Sequence, residues 1–239
     1  VDFDTEELLL LSAAGGSLTA AGYLFVRSGI LGDKIVIHDP EVPEGGRVIH
    51  RALAGKGWTS YGAYTGQQAL GFIQRHNRIS RLVLMGHGAP DWMFNSVDGI
   101  TMRPPGPGGV TLAQFDRVLA PRLVAGAIIG LAGCSGARNY NEAAVGAQRG
   151  LWAFVNGGEM SFAARMRDDL SNDTLVPWAT VRAHTDRGHV TSNPTGREFP
   201  IGKLYRGQPG KTMKPWYRGW EEFNDSFWGR PAERWILGT

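Results

Sequence analysis

Two stretches, Arg81-Leu-Val-Leu-Met-Gly-His-Gly88 and Ala127-Ile-Ile-Gly-Leu-Ala-Gly-Cys-Ser-Gly136, decide how this chain reads. Each is a short apolar run closed by glycine, the pattern of a strand buried on both faces of a sheet. Each runs directly into a reactive side chain, His87 in the first and Cys134 in the second. A third run, Lys34-Ile-Val-Ile-His38, ends at Asp39-Pro40, and a fourth, Ala179-Thr-Val-Arg-Ala-His184, mixes apolar and polar positions.

Helical patterns fall between these runs. Thr65 to His76 has Thr65 as its N-cap and apolar residues at Leu70, Phe72 and Ile73. Thr111 to Leu119 starts on Thr111 and gathers Leu112, Phe115, Val118 and Leu119 on one face. Ser161 to Leu170 repeats Phe162, Met166 and Leu170 at intervals of four. Strands alternating with helices predict an α/β fold with a mostly parallel central sheet flanked by helices. The chain is expected to form one domain. Residues 1–33 would be an N-terminal arm or hairpin, 34–205 the core, and 206–239 an aromatic-rich C-terminal helix packed on that core. Met102 to Gly109 is a Pro/Gly loop within the core.

The totals narrow the function classes. A chain of 239 residues with 42% hydrophobic and 20% charged content is long enough to bury a core without metals or disulfides. Its net charge of +3 comes without any run of five or more Lys/Arg, so a nucleic-acid partner is not expected. No apolar stretch is long enough for a membrane span, and no signal-peptide pattern occurs. Localisation is open. The chain opens on Val1, as expected of a processed form or an excised domain. The single cysteine excludes an internal disulfide and Cys-rich zinc sites. His184 and His189, five apart without a carboxylate cluster, do not make a metal pair. Neither a metal nor a cofactor is expected.

In an open parallel sheet, ligands bind beyond the carboxyl ends of the strands. If the strands ending at His87 and Cys134 are neighbours, imidazole and thiol share one edge. The thiolate is the nucleophile, and a nearby imidazole takes its proton or stabilises its charge. Gly86, Gly88, Gly133 and Gly136 allow close approach of a substrate main chain. Gly88 and Gly133 are the candidate oxyanion positions. Taken singly, a cysteine after an apolar strand is usually a small core residue. The paired occurrence, with one helix between, points to a catalytic dyad.

The apolar run ending in His-Gly, followed 47 residues later by one ending in a cysteine, resembles the caspase-like cysteine peptidases (clan CD). LAGCSGA, with SFAARMRDDL and TVRAHTDRG after it, looks similar to the bacterial domains of this fold that carry a Gly-Cys. The resemblance covers roughly residues 34–190 and implies a caspase-like sandwich, peptide-bond hydrolysis through a thioester, and no cofactor. It makes Cys134 and His87 catalytic. By the same analogy His184, Thr185, Asp186 and His189 are substrate-pocket candidates; Asp91 and Trp92, soon after His87 in the chain, are candidates to line the cleft. The implied partner is a peptide or protein substrate, and the chain's own flanking segment is one candidate. The family's acidic-or-Gln–Ala pair before the cysteine is replaced here by Ala132-Gly133.

Two other readings remain open. An α/β-hydrolase would place Cys134 in an elbow, with His184 or His189 and Asp173 or Asp186 completing a triad. A non-catalytic caspase-like interaction domain would bury the thiol and bind through its aromatic tail. Asp98, Glu159, Asp168, Asp169 and Asp186 are the acidic candidates for a pocket that accepts a basic residue.

Overall fold

A computed structural model describes residues 32–42, 57–134, 136–137, 161–173, 179–184 and 196–212. The N-terminal arm, apart from residues 32–33, and the C-terminal aromatic stretch lie outside these residues. Thr185, Asp186, His189, Glu159 and Ser135 do as well. The chain is a mixed α/β protein with a mostly parallel central sheet. Its strands are β1 (Asp33–His38), β2 (Trp58–Gly62), β3 (Ile79–Met85), β8 (Leu123–Ala132), β9 (Thr180–His184), β10 (Gly196–Pro200) and β11 (Lys211–Thr212). Across the sheet they run β11-β10-β9-β8-β3-β1-β2. β2, β1, β3, β8 and β9 are parallel, and β10 and β11 are antiparallel to their neighbours.

The four expected strands form where the apolar runs lie, because one sheet face meets three helices while its centre is buried on the other face too. Ile35, Ile37, Leu82, Leu84, Ile129, Leu131, Val181 and Ala183 belong to one core with α1 (Gly66–Ile73), α2 (Leu112–Leu119) and α3 (Phe162–Asp173). Val36, Val83, Met85 and Ala132 are buried as well. This double burial produces continuous apolar runs in place of alternation. β8 begins at Leu123, four residues before the expected start. Gly126, at φ +70°, reads as a break, but it lies within the strand, where the pairing of β3 and β8 shifts register.

Helix boundaries follow the caps. Thr65 accepts a hydrogen bond from the Gln68 N–H, and Thr111 with Gln114 forms a capping box. At the β2 edge, His76 Nδ1 lies 2.7 Å from Asp33 Oδ2, and its Nε2 lies 3.0 Å from Tyr61 Oη. This chain fastens the end of α1 to β1 and β2.

β2, β10 and β11 escape the apolar reading because they carry polar residues at the sheet margins. So do the two-residue strands β4 (Gly88–Ala89), β5 (Trp92–Met93), β6 (Ile100–Thr101) and β7 (Val110–Thr111), which form a second small sheet after His87. Within the segment expected to be a C-terminal helix, residues 206–210 are irregular and Lys211–Thr212 pair with β10. No helix among the described residues is long and apolar enough to cross a membrane.

On the second sheet face, Arg182 Nε meets Glu198 Oε1 at 2.7 Å. Burial and the nearby Arg182 hold the Arg81 guanidinium below its usual pKa. Burial also lowers Arg182, against the raising influence of Glu198. Glu198→Gln leaves two half-buried like charges facing each other and should destabilise the fold by about 1–3 kcal/mol. Adding Arg81→Gln should recover part of that loss. Urea denaturation of the single and double variants measures both.

Candidate functional site

β3 and β8 are adjacent and parallel, with Met85 opposite Ala132. His87 and Cys134 each stand two residues beyond this last pair, so both leave the same edge of the sheet from neighbouring strands. The condition set by the sequence is met in the backbone. The two loops also touch. The Gly86 N–H donates to Ala132 O at 3.4 Å. A Cβ built on Gly88 would lie 3.1 Å from Cys134 O and 3.2 Å from Cys134 N. One built on Gly133 would lie 3.0 Å from Gly86 O and 2.9 Å from Met93 Cε. The contact between the loops thus leaves little room for a side chain at either position.

His87 is exposed and Cys134 is half-buried. An accessible imidazole and a thiol sheltered on one side are suited to nucleophilic chemistry, which needs both substrate access and partial desolvation. Met93 is fully buried and packs against Gly88 and Gly133, forming the floor beneath both loops. Phe94 N–H donates to His87 O at 2.8 Å, closing the turn that carries the imidazole. Phe94 itself sits at φ +73°, a left-handed conformation that is costly for a bulky residue. Its ring packs against Gly86.

No protein-family model, curated protein or solved structure matches this chain. The site must be read from its own geometry.

The first turn of α3 holds both loops. Helix N-termini have N–H groups without intrahelical partners. Here Phe162 N–H donates to Pro90 O at 2.8 Å, and Ala163 N–H donates to Gly136 O at 3.0 Å. Ser161 Oγ accepts from Ala164 N–H. Just past the cysteine, Ala137 N–H donates to His184 O at 2.9 Å, and Arg197 Nη1 donates to Ala137 O at 3.0 Å. Arg197 is buried on β10, so a guanidinium sixty residues downstream clamps the cysteine loop.

The other candidates fall differently. His184 ends β9, beside β8, but is 1% exposed, and its main chain serves the cysteine loop. Its surroundings are those of a buried support at the floor of the edge, where the sequence reading expected a pocket wall. Asp91 is buried and pairs with Arg103 at 2.6 Å. Trp92 is half-buried in β5, opposite Ala89 and Thr101.

Of the acidic pocket candidates, Asp98 accepts from Gly108 N–H at 3.3 Å and from Gly66 N–H through its main chain, bracing the start of α1. Asp168 and Asp169 pair with Arg167 and Arg165 on α3. A cleft of about 240 Å³ between the starts of α2 and α3 is lined by Arg165, Asp169 and five neighbours, none of them a dyad residue.

Asp39 is the residue the sequence reading passed over. It follows β1 as His87 follows β3, is 5% exposed, and its Cβ would be 2.8 Å from a Cβ on Gly86. Its Oδ1 accepts from Glu41 N–H. The same rule that singled out His87, a polar residue just past an apolar strand, identifies it.

Removing the clamp should loosen the cysteine loop. Arg197→Gln is expected to cost about 1–3 kcal/mol of stability. At temperatures where it remains folded, greater exposure of the half-buried thiol should speed Cys134 alkylation, with Arg197→Lys reversing part of the change. Gly133→Ala should destabilise by about 1–3 kcal/mol through the forced contact with Gly86 O. Thermal unfolding and iodoacetamide labelling measure these effects.

Proposed function

We propose that this protein is a cysteine peptidase with a caspase-like fold, in which Cys134 is the nucleophile and His87 the acid–base partner. One observation carries the reading. The two residues stand at equal distances past a paired position on adjacent parallel strands, and their loops are in main-chain contact. The resemblance of His-Gly followed by Gly-Cys to the caspase-like peptidases supports the same assignment.

In the proposed reaction, His87 takes the Cys134 thiol proton and the thiolate attacks the scissile carbonyl. The tetrahedral oxyanion is met by main-chain N–H groups of the glycine loops, with Gly88 and Gly133 as the candidate positions. Collapse breaks the C–N bond, and His87 gives its proton to the leaving amine. A water then loses a proton to His87 and attacks the thioester, releasing the acid product and regenerating the thiol. Every step uses groups of the chain and water, so the reading calls for no cofactor.

The α/β-hydrolase alternative would join Cys134 to His184 or His189 and to Asp173 or Asp186. His184 is buried, and His189 and Asp186 lie outside the described residues. Asp173 closes α3, whose first turn is the end that meets the cysteine loop; twelve residues of helix at about 1.5 Å each separate them.

Cys134→Ala should abolish turnover of a peptide-substrate library with folding intact, and His87→Ala should reduce kcat/KM by about 10²–10⁴. Without a known substrate, iodoacetamide labelling across pH is the direct measurement. Fast labelling at pH 6–7 that slows in His87→Ala is the expected result. Labelling only above about pH 8.5, as for an ordinary thiol, would favour the non-catalytic interaction domain.

A further inference from the structure

The loop from Ile201 to Gly210 has no part in the proposed reaction, yet it is built with care. Lys203, Leu204, Tyr205, Arg206, Gly207, Gln208, Pro209 and the following Lys211 are all exposed. Leu204 is 88% exposed, the most open of the large apolar side chains among the described residues, and Tyr205 beside it is 47% exposed. The loop thus displays an adjacent leucine and tyrosine between two cations.

The tip is rigid. Gly202 N–H donates to Ser171 Oγ at 2.8 Å, and Ser171 is buried on α3. Gly207 N–H donates to Asp168 Oδ1 at 3.1 Å, and the buried Arg167 donates through Nη1 to Gln208 O at 3.0 Å. Tyr205 N–H and Gln208 N–H close the turn on Gly202 O and Tyr205 O. Three anchors on α3 thus keep Leu204 presented to water, and a pre-organised loop loses little entropy on binding.

Charge identifies the partner. Lys203 and Arg206 flank the apolar pair in sequence, Lys211 follows on β11 opposite Glu198, and no acidic residue occurs from Phe199 to Trp220. Asp168, beneath the loop, is already paired with Arg167. Cations around an apolar and aromatic tip match an anionic bilayer, with the cations at headgroup level and Leu204 and Tyr205 just beneath. A nucleic acid would satisfy the cations and leave Leu204 facing water. The position fits too. Pro200 pairs with Thr180 at the start of β9, so the loop lies at the sheet edge opposite His87 and Cys134. We propose that the 201–210 loop docks this protein reversibly on an anionic membrane surface, leaving the His87–Cys134 crevice open.

The test is co-sedimentation of the full chain with phosphatidylcholine vesicles, with and without phosphatidylserine. The proteins compared are wild type, Leu204→Asn and Lys203→Glu/Arg206→Glu. The wild type should pellet with the anionic vesicles only, and less so at high salt. The charge-reversed variant should bind about tenfold or more weakly, and Leu204→Asn should bind several-fold more weakly. Circular dichroism should be unchanged in both, because the altered side chains are exposed. Failure to pellet with phosphatidylserine, equal binding by the variants, or binding to duplex DNA in place of vesicles would each overturn the proposal. None of these outcomes depends on whether Cys134 is catalytic.

Discussion

The parallel pairing of β3 with β8 is the constraint on which the rest of the site depends. Beyond Ser80 and Arg81 near the start of β3, neither strand carries a polar side chain. What holds them together is the burial of both faces and the ladder of main-chain hydrogen bonds, regular from Arg81 opposite Ile128 to Met85 opposite Ala132. A slip of one residue would turn every core side chain to the opposite face and would draw His87 and Cys134 out of step. The reactive edge is thus fixed by apolar packing well below it.

Above that frame, the loops are positioned by backbone hydrogen bonds more than by side chains. The unpaired N–H groups at the start of α3 go to Pro90 and Gly136, and Arg197 reaches from an antiparallel strand to Ala137. Contributions from β10 and α3 converge on the few residues flanking the cysteine. Left-handed Phe94 and the close-packed Gly86, Gly88 and Gly133 show the same economy of space. These contacts, made within the chain, set the course of the main chain on either side of Cys134.

The two ends of the sheet differ in what they carry. One carries the ends of β1, β3, β8 and β9, and with them Asp39, His87, Cys134 and His184. The other carries the basic, apolar-tipped loop after β10. The antiparallel direction of β10 makes this division, because it returns the chain to the end of the sheet where β9 began.

Much of this was legible along the chain. Buried parallel strands must be apolar on both faces, so β1, β3, β8 and the placement of His87 and Cys134 after two of them could be read directly. Thr65 and Thr111 announced their helices because an N-cap oxygen satisfies a local N–H. The sequence by itself therefore determined the α/β class, the helix starts and the two reactive strand ends. Other features depended on the tertiary structure. That β3 and β8 are neighbours, that His184 is buried, that Asp91 is spent on Arg103, and that Arg197 serves the cysteine loop are matters of pairing and packing between distant segments. The marginal strands β2, β10 and β11 stayed hidden because half-exposed strands carry mixed residues. Local pattern records what each residue needs from water and from its own backbone; it does not record which distant segment meets that need.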